Sequence, residues 1–374
     1  MKLLLTDQQV RLLRLRAQRL ISNGTGQPLS VGQVLTRICG AQAQDLPAAL
    51  LSIHAREAGL TAEDIDQARL KPLTIVRTWL MRGTLHLVTV EDARWLIPFL
   101  GPVSITNDRR RMAQLGWDEA RVGQGLRLVH DELARQAGLT REEIIGLLKA
   151  HGLPHEGQAT IHLIAHAAAE GMLCQGPNRG KKPAYVPFTG WVGELNPFPP
   201  AFAQSELAHR YLEAFAPASP EDFASWSGLK VSAARRAWQS IGSQLAPIEN
   251  SGRTLWMLKS QLDWVETVQD GSPVVNLLPK FDTCWMGYAE RNLLVAPEFA
   301  RAIHPGGGII YPTLMVDGCA LGIWTARLSR SVLEVIVKPF GSLASNLVPL
   351  IEFKATNLGK FLGVDAVLKI KNGQ

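Results

Sequence analysis

At 374 residues the chain is longer than one hydrophobic core usually organises, so roughly two to four modules are expected. Hydrophobic residues at 46% and charged residues at 19% exclude an intrinsically disordered chain. The 39 basic and 33 acidic residues leave a formal charge of +6, which permits a polyanionic partner without demanding one.

Residues 1–16 do not read as a secretory signal, because Asp7 and Arg11 interrupt the apolar run. No window reaches the roughly 18 uninterrupted apolar residues of a membrane span. Helical spacing covers Val10, Leu13 and Leu20, then Val31, Val34, Leu35 and Ile38, then Leu50, Leu51 and Ile53. Ser30 suits a helix cap and Gly40 a helix stop. From residue 74 the pattern turns to strands, 74–80 and 83–88, with Met81-Arg82-Gly83 near the turn. Helices followed by one hairpin is the order of a winged helix.

That order recurs. Thr140-Arg141-Glu142-Glu143 is a capping box opening a helix over 142–150, and a second helix follows over 159–171. Strands at 172–174 and 184–187 then flank a basic tip carrying Arg179, Lys181 and Lys182. In the third instance Ser219-Pro220-Glu221-Asp222 caps a short helix through Trp226. A helix over 231–245 bears Arg235 and Arg236, and a hairpin turns at 249–253. The likeness among the three is of element order only, not of sequence.

Asn196-Pro197-Phe198-Pro199-Pro200 reads as a linker. Beyond residue 274 strands are expected at 274–278, 309–316, 320–326 and 332–337, with an Asp317-Gly318 hairpin turn and a closing helix over 343–362. The expected fold is therefore α+β. It divides into a first winged helix with connecting helices (1–135), a second (136–200), a third (201–270) and a C-terminal β-rich subdomain (271–374).

Cys39, Cys174, Cys284 and Cys319 have no short pairing, so no zinc site or disulfide framework is expected, and the chain reads as soluble, reduced and cytoplasmic. His151/His155 and His162/His166 have ligand-like spacing. Gly152 and Pro154 break the first pair's helix, and the second lies on an amphipathic helix, which disfavours metal for both. His304-Pro305-Gly306-Gly307-Gly308 precedes a strand rather than a helix, so it reads first as a tight turn and second as a hairpin tip that probes DNA.

The sharper signal is Gln42-Ala43-Gln44. Gly40 ends the preceding helix and Pro47 suits the first turn of the next, which predicts an extended segment between them. Residues two apart on an extended segment share a face, so two neutral amides project together and can hold a water by donor and acceptor at once. Arg82 and His86 of the first hairpin could contact DNA or brace Gln42. Arg109-Arg110-Arg111 and the basic groups named above suit phosphates, the alternative being a solvated surface.

Gln42-Ala43-Gln44, Met81 through His86, Trp226-Ser227-Gly228-Leu229, Pro279-Lys280-Phe281-Asp282 and Val316-Asp317-Gly318 through Gly322-Ile323-Trp324 follow one another as in a known family. In this order the chain resembles the winged-helix DNA glycosylases of the AlkZ type, from about residue 6 to about residue 363. The resemblance implies three tandem winged helices around a DNA channel and hydrolysis of the N-glycosidic bond of alkylated purines. Members acting on monoadducts carry Gln-x-Asp. Gln44 stands where those have Asp, which points to the crosslink and bulky-adduct branch, although Asp45 follows directly.

On that resemblance Gln42 and Gln44 are the expected catalytic pair. Arg82, His86, Arg179, Lys181, Lys182, Arg235, Arg236 and His304 are the expected DNA contacts. Double-stranded DNA carrying alkylated bases or crosslinks is the expected partner of a monomer. No cofactor, no metal and no nucleophilic lysine is expected, hence a monofunctional enzyme. The rival expectations are a non-enzymatic winged-helix transcriptional regulator, which predicts a dimer on a defined operator, and a protein–protein scaffold, which predicts no salt-dependent DNA binding.

Overall fold

The computed structural model describes residues 3–21, 27–268, 271–329 and 331–371. The fold is mixed α+β and separates into two units, one formed by Asp66–Gln204 and the other by Met1–Ile65 with Ser205–Gln374. Among the described residues no helix is long and apolar enough to cross a membrane.

In the central unit the expected hairpin is present. Strands Ile75–Trp79 and Leu85–Thr89 pair antiparallel around a tight turn at Met81–Gly83, with Thr78 opposite His86. Arg82 sits in the turn at φ 56°, beside Gly83 at φ 67°. Strand Leu173–Gln175 joins at Arg77, followed by Ala184–Pro187 and Leu139–Thr140, all antiparallel. Thr140 caps helix Arg141–Ala150 with the reciprocal Glu143 box, as its sequence requires.

Trp79, Trp117, Val129, Ile144, Leu148, Leu163 and Leu173 belong to the unit's core. The 25-residue helix Val90–Gln114 packs so closely that a Cβ on Gly101 would lie 1.9 Å from the carbonyl oxygen of Ala169. That helix tolerates Pro98 for a visible reason. Proline has no N–H for the carbonyl of Arg94 four residues back, and Asn196 N donates to that oxygen instead, at 2.9 Å. Phe198 stacks on Trp95 at 5.0 Å, so the proline-rich segment read as a linker is docked onto the helix before it.

In the other unit, helices Pro220–Ser227 and Val231–Ser240 precede the hairpin Leu245–Asn250/Arg253–Leu258. Ser219 forms a capping box with Asp222, and Gly228 ends the first of these helices at φ 85°. The second helix stops earlier than its pattern suggested, in a short turn at Gly242–Gln244. Leu3–Leu4 adds to this hairpin in parallel beside Ile248–Glu249.

A five-stranded sheet follows in the order Val275–Leu278, Thr313–Val316, Cys319–Ser329, Val332–Pro339, Asp365–Ile370. Its last pair is parallel, connected through helix Leu347–Phe361. Asp317 and Gly318, both at positive φ, make the predicted two-residue turn. Gly306 pairs with Ile309 in a tight turn of the triple-glycine stretch.

Candidate active site

The amide pair is built by a break between two helices. Cys39 at φ 56° and Gly40 at φ 86° carry the chain out of helix Val31–Arg37 into the extended residues Ala41–Gln42. Asp45 then caps helix Leu46–His54, its Oδ1 accepting from Ala48 N at 3.0 Å, with Pro47 in the first turn. Between these stops Gln42 and Gln44 lie on one side of the chain, and Gln42 Nε2 donates to Gln44 Oε1 at 3.2 Å.

The two amides differ in environment. Gln42 is 5% exposed, whereas Gln44 is exposed. Gln42 Oε1 is sealed and accepts no hydrogen bond from the described residues. A buried carbonyl without a donor is uncommon and costly, and such atoms mark strain or a functional acceptor.

Asp45 is held away from the pair. Its Oδ1 serves the helix cap, and its Oδ2 forms an ion pair with Lys280 Nζ. The carboxylate adjoining Gln44 in sequence is therefore committed to holding the loop.

Lys280 begins a second anchor. Asp282 receives Arg56 through both oxygens, Nη1 to Oδ2 at 2.8 Å and Nη2 to Oδ1 at 2.9 Å, and neither side chain has any solvent exposure. Ser52 Oγ donates to the same carboxylate at 2.7 Å, and Arg56 Nη2 also donates to Gln18 Oε1 and Thr283 Oγ1, each at 2.8 Å. Ser52 lies on the helix that Asp45 opens, so the Pro279–Asp282 stretch fixes both ends of that helix.

Sequence reasoning missed these roles for Arg56, Lys280 and Asp282. The motif was visible, but nothing in one sequence pairs residue 56 with residue 282.

The remaining candidates fall in several settings. His86 is 2% exposed, and burial, reinforced by the charge of Arg82, pushes its pKa down to about 3. Its Nδ1 lies 2.9 Å from the carbonyl oxygen of Thr84, so the neutral ring donates there. At the 175–182 tip Arg179 pairs with Glu143 at 2.7 Å and Lys182 with Glu142 at 3.3 Å, while Lys181 is exposed and forms no ion pair among the described residues.

On helix Val231–Ser240, Arg235 is tied to Glu221 at 2.8 Å, and Arg236 is exposed and forms no ion pair among the described residues. His304 is half-buried edge-on to Trp285, its Nε2 without a partner among the described residues, and burial lowers its pKa to about 4.

The histidines of metal-like spacing have other partners. His162 Nδ1 meets Asp108 at 2.7 Å, His166 meets Glu170 at 3.3 Å, and His151 and His155 bond backbone carbonyls. Burial raises the thiols of Cys174 and Cys284 to about 12, which suits unreactive packing residues.

A family profile described as DNA glycosylase AlkZ-like matches residues 35–361, which include the amide loop and both anchoring segments. The chain belongs to the AlkZ-like DNA glycosylase family. An interstrand DNA cross-link repair glycosylase of Streptomyces sahachiroi is 27% identical over 366 residues, covering 93% of this chain and 95% of the relative. The solved structure of Streptomyces sahachiroi DNA glycosylase AlkZ matches with a TM-score of 0.84 at 25% identity, covering 99% of this chain and all of that one.

Proposed function

We propose that this AlkZ-like protein is a monofunctional DNA glycosylase that hydrolyses the N-glycosidic bond of N7- or N3-alkylated purines, including bulky or crosslinked adducts. The observation that carries the reading is the Gln42–Gln44 pair, two neutral amides bonded to each other with Gln44 exposed. A relative of similar length is named for interstrand crosslink repair, which supports crosslinked DNA as a substrate.

The chemistry suits neutral amides. An alkylated purine is already cationic, so it leaves with the bonding electron pair as a neutral base and needs little acid catalysis. The remaining task is to aim water at an oxocarbenium-like deoxyribose, which is positioning plus electrostatic stabilisation. The exposed amide of Gln44, fixed in place by the hydrogen bond from the buried Gln42 Nε2, holds that water by donor and acceptor and aims it. Water oxygen bonds to the sugar carbon, and its proton passes to solvent. Asp45 has no part in the attack, because capping and Lys280 occupy its two oxygens.

Segments 1–135, 136–200 and 201–270, each with helices ahead of a hairpin, are read as three winged-helix modules that track duplex DNA. Lys181 and Arg236, both outside intramolecular ion pairs, are the leading phosphate contacts, with Arg82, Arg179, Lys182 and Arg235 beside them. The burial of His86 and His304 suits bracing of those surfaces.

The test is incubation of the protein with duplex DNA carrying an N7-alkylguanine, followed by alkali. Strand breaks at the lesion are expected with alkali only, since a monofunctional enzyme leaves an intact abasic site. DNA binding without base release would instead indicate a winged-helix regulator.

A further inference from the structure

The unit formed by residues 1–65 and 205–374 contains a concave site that shares no lining residue with the amide loop. It is a 760 Å³ cavity whose wall includes Arg16, Arg19, Arg37, Lys354 and Trp264. Arg56 also lines it, but its side chain is closed to solvent and paired with Asp282. Two acidic residues, Glu57 and Glu213, share the wall, and both have other partners. Glu57 Oε2 accepts from Leu29 N at 3.1 Å, and Glu213 lies 3.8 Å from His209 Nε2.

The four cations outnumber the two carboxylates of the wall. Among the described residues none of Arg16, Arg19, Arg37 and Lys354 forms an ion pair with a carboxylate. Arg16 lies over the Trp264 ring at 5.0 Å and donates Nη1 to Thr267 Oγ1, and its Nε is sealed with no acceptor among the described residues. Arg19, at φ 55°, likewise has a sealed Nε with no acceptor among the described residues. Lys354 Nζ has one long contact, 3.5 Å to Asn276 Oδ1, and burial lowers its pKa. Gathering partly desolvated cations around a cavity is unfavourable unless an anion completes it.

We propose that this cavity is a phosphate-ester binding site, separate from the amide pair, in which Arg19 and Arg37 donate to the phosphate oxygens, Lys354 supplies a point charge and Arg16 is splayed on Trp264 as a fixed wall. Guanidinium forks match the geometry of phosphate oxygens, and three or four cations suit a doubly charged group better than a carboxylate. The phosphate ester is either free, as in a nucleotide, or part of a DNA strand.

The experiment is calorimetric titration of the full chain with inorganic pyrophosphate and with deoxyadenosine monophosphate, repeated on Arg37→Gln and on Lys354→Gln. Arg37 is exposed at a helix end, so its replacement leaves the core intact, and thermal midpoints check both variants. Saturable binding that weakens about tenfold in each variant is expected, the loss of one charge-assisted contact. Absence of binding, or binding unchanged in either folded variant, overturns the proposal. Displacement of pyrophosphate by undamaged duplex assigns the site to a strand phosphate, and simultaneous binding assigns it to a free ester; both keep it.

Discussion

Arg56 and Asp282 meet in a two-pronged ion pair, at 2.8 and 2.9 Å, with both side chains fully closed to solvent. The pair spans 226 residues of sequence and ties the end of the helix that follows the amide loop to the cap of the short helix Thr283–Met286. Removing one member leaves the other buried and uncompensated, which costs far more than losing a surface pair. Asp282→Ala is therefore expected to lower unfolding free energy by about 3–5 kcal/mol in urea denaturation. A loss under about 1 kcal/mol would show that the pair is not structurally important.

Lys280 and Asp45 present the opposite case. Both are partly exposed, so their attraction is screened, and Lys280→Ala is expected to change stability by less than about 1 kcal/mol. Its effect should appear in turnover, because Asp45 is then free to swing beside Gln44. Base release should slow at nearly unchanged thermal midpoint. An unaltered rate would show that the cap alone holds the loop.

His86 makes stability depend on pH. Its pKa is near 3 in the folded protein and about 6.5 when unfolded, so between these values the unfolded chain binds the extra proton. The stabilisation is complete above about pH 6.5 and is lost as pH falls toward 3, at about 1.4 kcal/mol per pH unit. Urea titrations at several pH values should show a steeper acid loss for the wild type than for His86→Gln. Parallel curves would place the titration elsewhere.

DNA binding should separate paired from unpaired cations. Arg236→Gln and Lys181→Gln are each expected to reduce the slope of log affinity against log salt by about one. Arg235→Gln should do less, because its guanidinium is already partly spent on Glu221. Equal effects from all three would mean that the ion pair dissolves on DNA.

Local chemistry was legible wherever it is local. Thr140, Ser219 and Gly40 start or stop helices where their side chains or lack of one demand it, and the Asp317-Gly318 turn sits where the dipeptide allows positive φ. The extended segment carrying Gln42 follows from the same punctuation.

Long-range pairing was not legible. Leu3–Leu4 is too short to announce a strand, and it gains its ladder from residues 248–249. Asp365–Ile370 does alternate, yet its place is set by parallel pairing with Val332–Pro339 across a helix. Helix Val90–Gln114 runs through Pro98 because a tertiary contact satisfies the freed carbonyl of Arg94. At the site, the exposure of Gln44, the sealing of Gln42 and the commitment of Asp45 are all tertiary facts.

The most direct test is the single-turnover rate of base release from duplex DNA containing an N7-alkylguanine, for wild type, Gln42→Ala and Gln44→Ala at saturating protein. If the amides aim the attacking water, each variant should bind the duplex as tightly as wild type and release base about a hundredfold more slowly. Wild-type rates in both variants would contradict a role for these glutamines in the reaction.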